Sequence, residues 1–433
     1  MLFQKISELR KNQGFLKYFK NISWLFFDKG LKLISAIVIG SFIARYLGPT
    51  KFGVFSYVQS FVAIFIPISL LGLDSIVVKD LIEQDRKRDL ILGSAFGLRI
   101  IGSFSLITIL LVILQFTTNS KSTNIFILLI AFTSIFQSFN VIDFYFQSKV
   151  LSKYVVFSNI FMLSISSIIK VILIFSKASL LSFFLVVLLD SFLLAIGLIF
   201  FYFRNGLSII KWKFNFEMAK YLLSNSWPLI LSSIFVMMYM RIDQIMIKEI
   251  LGNEAVGKYA AAVKLSEAWY FIPTILANSF FPAILNSKKI GEKLYYQRLQ
   301  RLFNLMFRIA LIIAIPVTFL SDFAIEVLYG VEYEESSRVL KIHIWSGIFI
   351  FLGVASSNWF VAENLQRLSF WRTFFGLLIN VFGNLFLIKR FGVEGAAIST
   401  LLSQIMASYI FDFFHVKTRK IFYMKTNSLA IFK

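Results

Sequence analysis

The amino-acid sequence predicts an all-α integral membrane protein of about twelve transmembrane helices. These form two six-helix lobes related by a pseudo-two-fold axis along the membrane normal. Three observations predict this fold class. The 433 residues are 58% hydrophobic and only 15% charged, with a mean hydropathy of +0.78, whereas soluble domains carry about 25% charged residues. Apolar runs long enough to cross a bilayer recur along the whole chain. A short motif also occurs twice, once in each half.

The apolar runs give the number and order of the predicted helices. Each has roughly 18 to 25 residues, enough for a hydrocarbon core about 30 Å thick. A helix also pairs its own backbone groups, which lipid cannot do. We count twelve runs, at residues 22–45, 52–73, 90–114, 124–147, 154–176, 179–203, 220–247, 257–284, 302–320, 338–361, 368–388 and 392–415. An even number of crossings places both chain ends on the same side.

The distribution of basic residues predicts the orientation. Most of the 44 Lys and Arg residues fall between runs that share one face of the membrane, while the acidic stretch "LYGVEYEESSR" falls on the other. The positive-inside rule therefore places both termini in the cytoplasm. The net charge of +21 is explained by topology, so nucleic acid is not an expected partner. The first twenty residues, which lack a cleavage site, predict a retained cytoplasmic amphipathic arm.

A duplicated motif divides the chain. The stretches "RYLGPTKFGVF" and "KEILGNEAVGKY" align at a constant interval, with Leu47, Gly48, Phe52, Gly53 and Phe55 matching Leu251, Gly252, Val256, Gly257 and Tyr259. Each copy follows the first predicted span of one half, where glycines favour a tight turn between helices. We therefore predict parallel repeats, with an N-terminal lobe at residues 1–205, a cytoplasmic linker at 206–218 and a C-terminal lobe at 219–433.

The composition excludes several kinds of chemistry. The chain has no cysteine, and its only histidines are His343 and His415. Thiolate metal sites and Cys nucleophiles are thereby excluded, and a histidine metal cluster or a Ser-His-Asp triad is not expected. The predicted loops outside the membrane are short, which leaves no room for a catalytic region. We expect no enzyme, no metal and no cofactor.

Charged residues inside the predicted spans are functional candidates, because each costs roughly 2.5–3.5 kcal/mol in the bilayer. Arg99 and Asp190 fall near the middle of their spans, and a buried ion pair between helices is their structural alternative. Residues nearer the helix ends, such as Asp143, Lys170 and Arg308, can snorkel to the headgroups. The densest set lies in predicted spans seven and eight and comprises Arg241, Asp243, Lys264 and Glu267.

Helical spacing predicts which of these charges can pair. Arg241 and Asp243 are two apart and point to different sides, so they are not partners. Lys264 and Glu267 are three apart and can pair, and Asp28 and Lys32 in the first span, four apart, can do the same. For Asp28 and Lys32, snorkelling to the headgroups is the alternative to a paired functional role. Predicted helices 1, 7 and 8 thus turn charge toward a polar environment, which favours a water-filled cavity between the lobes.

Three stretches resemble a known family. The run "RIDQIMIKEILGNEAVGKYAAAVKLSEAWYFIPTILANSFFPAI" resembles helices 7 and 8 of bacterial polysaccharide-unit (O-antigen) flippases. These flippases belong to the multidrug/oligosaccharidyl-lipid/polysaccharide exporter superfamily. The opening "SWLFFDKGLKLISAIVIGSFIARYLGPTKFGVFSYVQSF" is similar to their first two helices, and "KRFGVEGAAISTLLS" to their eleventh-to-twelfth turn. The resemblance covers essentially the whole chain.

The resemblance implies a function. A protein of this family moves undecaprenyl-diphosphate-linked oligosaccharide units from the cytoplasmic to the periplasmic leaflet of the bacterial inner membrane by alternating access. Asp243 matches the family aspartate that precedes the Leu-Gly turn, and Gly252 and Gly257 match the turn. A polysaccharide polymerase and chain-length machinery are implied candidate partners.

Basic side chains suit a diphosphate, and unpaired acids suit coupling to a proton or sodium gradient. The candidate substrate-binding residues are Arg241, Lys264, Arg99 and Lys32. The candidate ion-coupling residues are Asp243, Glu267, Asp190 and Asp28.

Other functions remain open at this point. A drug or cation antiporter of the same superfamily would recognise its substrate through acids and aromatic rings. A lipid II flippase is also similar, although such proteins commonly carry helices beyond twelve. A non-transporting scaffold of glycan assembly would leave the charges inside the spans without a purpose. Both an O-antigen unit and a capsule unit are compatible with the sequence.

Overall fold

The computed structural model describes residues 13–430, and it is helical along this range with no β-strand in it. Residues 1–12 of the predicted cytoplasmic arm lie outside the described residues. The helices are α1 (Gln13–Leu70), α2 (Asp74–Glu83), α3 (Arg88–Leu114), α4 (Lys121–Gln137), α5 (Val141–Ser148), α6 (Lys153–Phe175), α7 (Leu180–Arg204), α8 (Phe216–Leu251), α9 (Asn253–Glu267), α10 (Phe271–Lys288), α11 (Glu292–Tyr329), α12 (Glu335–His343), α13 (Ser346–Ala362), α14 (Gln366–Ile405), α15 (Phe411–Phe414) and α16 (Arg419–Leu429). One π-helical turn, Met406–Ile410, joins α14 to α15.

Ten helical segments of the described chain are long and apolar enough to cross a membrane. Two of them, Ser23–Glu83 and Gln366–Phe414, each cover two of the apolar runs in the sequence. Their helices contain non-helical backbone at Gly48 in α1 and at Gly392 in α14. These breaks lie where the sequence predicts a turn between two spans. The protein is thus a multi-pass membrane protein, and the count of twelve spans remains a prediction.

Both copies of the duplicated motif turn on a glycine with nearly the same backbone conformation. Gly48 has φ 68° and ψ 168°, and Gly252 has φ 91° and ψ −178°. This region of backbone space is essentially restricted to glycine, because a Cβ atom would clash there. The prediction that each copy makes a tight turn between helices is confirmed.

The chain forms two compact units. The first comprises residues up to Ile43 together with Phe61–Ile234, and the second comprises Ala44–Ser60 together with the chain from Phe235 onward. Residues 44–60, which carry the first copy of the motif, therefore belong to the second unit. The lobe boundaries predicted at residues 205 and 219 remain a prediction.

In the first unit, the predicted linker is fixed to α7 and to α3. The indole of Trp212 donates a hydrogen bond to the Tyr202 hydroxyl at 3.1 Å, and the backbone N–H of Lys213 donates to the carbonyl of Asp89 at 3.1 Å. A Cβ atom on Gly93 would lie only 2.6 Å from backbone atoms of Lys213. The absence of a side chain on Gly93 thus allows the linker backbone to lie directly on α3.

The second unit has its own apolar core, built from α10, α11 and α13. Fully or nearly fully buried aromatic and aliphatic residues such as Tyr295, Phe303, Met306 and Trp359 fill it. The C-terminal helix α16 contributes Ile421 to the same core.

Candidate functional site

Asp243 on α8 is the most enclosed acid among the predicted site residues, with 4% of its surface exposed. The hydroxyls of Thr400 and Tyr259 donate hydrogen bonds to its Oδ2 atom at 2.6 and 2.8 Å, and the Asn384 amide donates to Oδ1 at 2.7 Å. Three neutral donors from α9 and α14 therefore surround one carboxylate. In the described part of the chain, no basic side chain lies within ion-pair distance of it.

When Asp243 is ionised, this arrangement leaves its negative charge in a low-dielectric interior without a counter-charge. Burying an unpaired carboxylate is costly, and neutral hydrogen-bond donors offset only part of that cost. A proton or a monovalent cation would neutralise the site. The Asn384 amide also donates to Asn380 Oδ1 at 3.2 Å, while Asn384 Oδ1 is buried without a hydrogen-bond partner among the described residues. The cluster therefore has an oxygen acceptor left for a donor or a cation.

Arg241 and Glu267 form a two-point ion pair between α8 and α9. The distances are 3.1 Å from Nη2 to Oε2 and 3.4 Å from Nη1 to Oε1. The sequence had allowed Glu267 to pair with Lys264, but that spacing argument considered one helix only, and the neighbouring helix supplies the guanidinium. Lys264 Nζ lies 4.6 Å from the ring centre of Phe52, a cation–π contact.

A cavity of about 290 Å³ inside the second unit joins several of these groups. Its wall includes Asp243, Tyr259, Glu267, His343, Thr400 and Arg372. Arg372 is 6% exposed, donates a hydrogen bond to Ser356 Oγ at 2.9 Å and lies over the ring of Phe360. The cavity wall therefore carries both acidic and basic side chains from helices that are long and apolar enough to span a membrane.

The two copies of the turn motif touch each other inside the second unit. A Cβ atom on Gly53 would overlap the backbone carbonyl of Asn253, and one on Gly257 would overlap the carbonyl of Pro49. Gly53 and Gly257 therefore mark a backbone-to-backbone contact between α1 and α9 that any side chain would disturb. Tyr333 also binds residues 44–60, by donating a hydrogen bond to the carbonyl of Ala44 at 2.8 Å.

The remaining predicted site residues lie in the first unit, and each has a partner there. Lys32 pairs with Asp28 at 2.9 Å, as their spacing predicts. Arg99 pairs with Asp74 at 2.5 Å and is 2% exposed, while Asp190 pairs with Lys170 at 2.9 Å. Arg99 and Asp190 are thus not partners of one another.

Sequence reasoning missed the neutral half of the Asp243 cluster. Asn380 and Asn384 are four apart in the apolar run 368–388, so they share one helix face. Two amides on one face of an apolar helix indicate a buried polar site, so Asn380 and Asn384 could have been identified from the sequence. The contribution of Thr400 has no such signal, because a hydroxyl can bond its own helix, as Thr400 also does to Ala396 at 3.0 Å. No group of three His, Asp or Glu residues suited to a metal ion occurs in residues 13–430.

Comparison with known families gives two matches. The profile of the family described as "Polysaccharide biosynthesis protein" matches residues 18–288. The profile of the MatE family matches residues 228–386. The first match covers more than half of the chain and includes both copies of the turn motif.

Two similar proteins have names that describe glycan biosynthesis. The capsular polysaccharide biosynthesis protein CapF of Staphylococcus aureus is 21% identical over 401 residues, which cover 92% of this chain and 98% of that protein. The probable low-salt glycan biosynthesis flippase Agl15 of Haloferax volcanii is 25% identical over 212 residues, covering 47% of this chain and 44% of that protein.

Solved structures share the fold over nearly the whole chain. An inward-facing multidrug resistance MATE family transporter superimposes with a TM-score of 0.72 at 13% identity, covering 92% of this chain and 96% of that one. The lipid II flippase MurJ in an inward closed conformation superimposes with a TM-score of 0.68 at 17% identity, covering 95% and 91% of the two chains. The chain therefore has the fold that these transporters and flippases share.

Proposed function

The chain belongs to the polysaccharide biosynthesis protein family, and from that premise we propose that it is a flippase for lipid-linked oligosaccharides. Its substrate is an undecaprenyl-diphosphate-linked repeat unit of the O-antigen type, moved from the cytoplasmic to the periplasmic leaflet of the bacterial inner membrane. The proposed protein has twelve helices in two six-helix lobes, with both termini in the cytoplasm. Movement of the lobes opens a central polar path first to one side of the membrane and then to the other. The resemblance of the sequence to O-antigen flippases supports this finer description.

One observation carries the proposal: charges inside the membrane are concentrated on the adjacent helices α8 and α9. The Arg241–Glu267 pair and Asp243 lie in segments apolar enough to span a bilayer. Such groups are costly there and mark the route of a polar substrate or ion. A lipid-linked sugar needs that route for its head alone, because its polyprenyl tail can stay in the bilayer.

Arg241 and Lys264 are the proposed binders of the diphosphate. A guanidinium that already makes a two-point contact with a carboxylate can make the same contact with a phosphate. When the substrate binds, its phosphate would therefore replace the Glu267 carboxylate as the partner of the Arg241 guanidinium. Lys32 and Arg99 are further candidates in the first unit, where phosphate would have to compete with Asp28 and Asp74 respectively.

Asp243 is the proposed main coupling residue. Because Asp243 lacks a counter-charge among the described residues, a bound proton or sodium ion would neutralise a charge that nothing else compensates, whereas a paired acid already has a basic partner. Glu267, Asp190 and Asp28 each have a basic partner. We therefore assign them a secondary part in coupling.

A drug or cation antiporter is the second candidate function. The observation that favours it is the same Asp243 cluster, in which Tyr259 and a carboxylate line one cavity. An antiporter needs exposed acids and aromatic rings for a cationic substrate. Arg372 in the same wall disfavours a cation in that cavity.

Complementation tests the proposal. The gene is expressed in a bacterial strain that lacks its own unit flippase and carries the glycan-synthesis genes that accompany this gene. Restored surface polysaccharide, with lipid-linked units no longer accumulating inside, is the expected result. Failure despite confirmed membrane expression and unit synthesis would favour the antiporter or a scaffold, which drug-efflux and co-purification assays then distinguish.

A further inference from the structure

A groove between α10 and α11 carries two basic residues that the proposed transport does not use. It has a volume of about 280 Å³, and its wall includes Arg298, Arg301, Leu302, Leu305, Phe280 and Ile284. The arginines lie in the segment between predicted spans eight and nine, which the distribution of basic residues places on the cytoplasmic side. The groove lies wholly within the second unit.

The order of residues along α11 matches an amphiphile. Arg298, Arg301, Leu302 and Leu305 share one helix face, because they are spaced at three, four and seven residues. The charged pair comes first, near the helix N-terminus, and the apolar pair follows toward the membrane interior. From Arg298 to Leu305 the helix rises by about 10 Å. Phe280 and Ile284 face this stripe from α10.

Both guanidiniums have donors to spare. Arg298 Nη1 donates a hydrogen bond to the carbonyl of Ala283 at 2.9 Å, which holds it against α10 at the edge of the groove. Neither arginine has a carboxylate within ion-pair distance in the part of the chain that the structure describes. A guanidinium carries five N–H donors and binds phosphate in a two-point geometry.

We propose that this groove is a binding site for an anionic phospholipid of the cytoplasmic leaflet. The lipid phosphate binds Arg298 and Arg301. An acyl chain lies along the exposed Leu305 and Phe280, over a groove floor formed by the almost fully buried Leu302 and Ile284. Charge complementarity selects an anionic headgroup, because a zwitterionic lipid brings a compensating ammonium next to the two arginines. The site does not depend on which substrate the protein transports.

Native mass spectrometry of the purified full chain tests the site, with phosphatidylglycerol and phosphatidylcholine as the two probes. The double variant Arg298→Ala/Arg301→Ala is expected to bind phosphatidylglycerol at least about tenfold more weakly, because it loses both charge-assisted contacts and either one alone is worth about that factor. Its binding of phosphatidylcholine should not change. The variant Arg298→Lys/Arg301→Lys keeps the charge and loses the two-point geometry. Its affinity for phosphatidylglycerol should therefore lie between those of the wild type and the double alanine variant.

The matched control is Lys211→Ala/Lys213→Ala, which removes the same charge from exposed positions in the same predicted leaflet. It should bind phosphatidylglycerol like the wild type. If Lys211→Ala/Lys213→Ala weakens phosphatidylglycerol binding as much as Arg298→Ala/Arg301→Ala does, the effect depends only on the total positive charge, and the proposed site is overturned. Undiminished binding by Arg298→Ala/Arg301→Ala would overturn it as well. Melting curves of each variant in detergent show that the compared proteins are folded.

Discussion

At the scale of single residues, the environment of Asp243 favours neutralisation of its carboxylate by a proton or a cation. Its two oxygens accept three hydrogen bonds from neutral groups, and a buried carboxylate so placed gains strongly from a bound proton or cation. Thr400 and Asn384 come from opposite sides of the break at Gly392 in α14. A change in the charge of Asp243 therefore acts on both parts of that helix at once.

We expect Asp243→Asn to fold and to lose transport. An amide cannot take up a proton or replace a carboxylate toward sodium, so export of the glycan should slow at least about tenfold. The measurement is surface polysaccharide in the complementation strain, normalised to protein level. Asp322→Asn is the matched control, because Asp322 is exposed and pairs with Lys341. Wild-type export by Asp243→Asn would contradict the coupling role.

The Arg241–Glu267 pair allows structural and substrate roles to be separated. Arg241→Gln leaves Glu267 partly buried without its partner, so we expect a loss of about 1–3 kcal/mol in the free energy of unfolding. Arg241→Gln/Glu267→Gln should regain stability, because no uncompensated charge remains. It should not regain export, since the diphosphate has lost its guanidinium.

Thermal melting and surface polysaccharide are measured for the same set of variants. Glu267→Gln alone separates loss of the carboxylate from loss of the guanidinium. If the double variant exports glycan like the wild type, the pair is structural and Arg241 is not a substrate ligand.

At the scale of elements, the contact between α1 and α9 depends on two glycines. Gly257→Ala places a methyl group against the carbonyl of Pro49, and overpacking of this kind costs about 1–3 kcal/mol. Gly30→Ala, which is also inside a helix, meets nothing within 4 Å, so it should be neutral or stabilising by up to about 1 kcal/mol. Thermal melting of both variants measures the difference. Equal melting temperatures would show that the backbone contact contributes nothing to stability.

The C-terminal helix α16 is held by a buried ion pair. Lys425 Nζ lies 2.7 Å from Asp412 Oδ2, and both side chains are fully buried. Burial lowers the pKa of Lys425 to about 8, from an ordinary value near 10.5, and outweighs the opposing attraction of Asp412. Between these values the unfolded chain binds a proton that the folded chain has released, so this lysine makes stability rise with pH.

We therefore expect the melting temperature to contain a component that increases from pH 8 to pH 10 and is flat below pH 8. The corresponding rise in the free energy of unfolding is at most about 1.4 kcal/mol per pH unit. Lys425→Met should be less stable at pH 7, because Asp412 loses its partner, and should lack this component. Lys420→Met, on the exposed face of α16, is the control. Parallel pH profiles for the wild type and Lys425→Met would contradict the assignment.

The elements show what a sequence of this kind can predict. Apolar length, the Leu-Gly turns and the Asp28–Lys32 pair are local features, so they were readable. The pairing of Glu267 with Arg241, and of Arg99 with Asp74, depends on which helices lie side by side. Helical periodicity reports which face a residue occupies but not which helix that face meets. Contacts across helices were therefore beyond sequence reasoning.

At the scale of the whole molecule, two helices contribute residues to both compact units. The first unit ends at Ile43 within α1 and resumes at Phe61, and the boundary within α8 lies after Ile234. The sequence predicted the duplication, and the lobe boundaries at residues 205 and 219 remain a prediction.

The family, the fold and the charges inside the membrane converge on the transfer of a polar head across the bilayer. The most direct test reconstitutes the purified chain in liposomes that contain a fluorescent undecaprenyl-diphosphate-linked oligosaccharide, and follows its accessibility to a membrane-impermeant quencher. We predict flipping that is faster than in protein-free liposomes, that responds to an imposed proton or sodium gradient and that is lost in Arg241→Gln. Labelled lipid that stays in its original leaflet, in liposomes with folded and oriented protein, would contradict the proposed function.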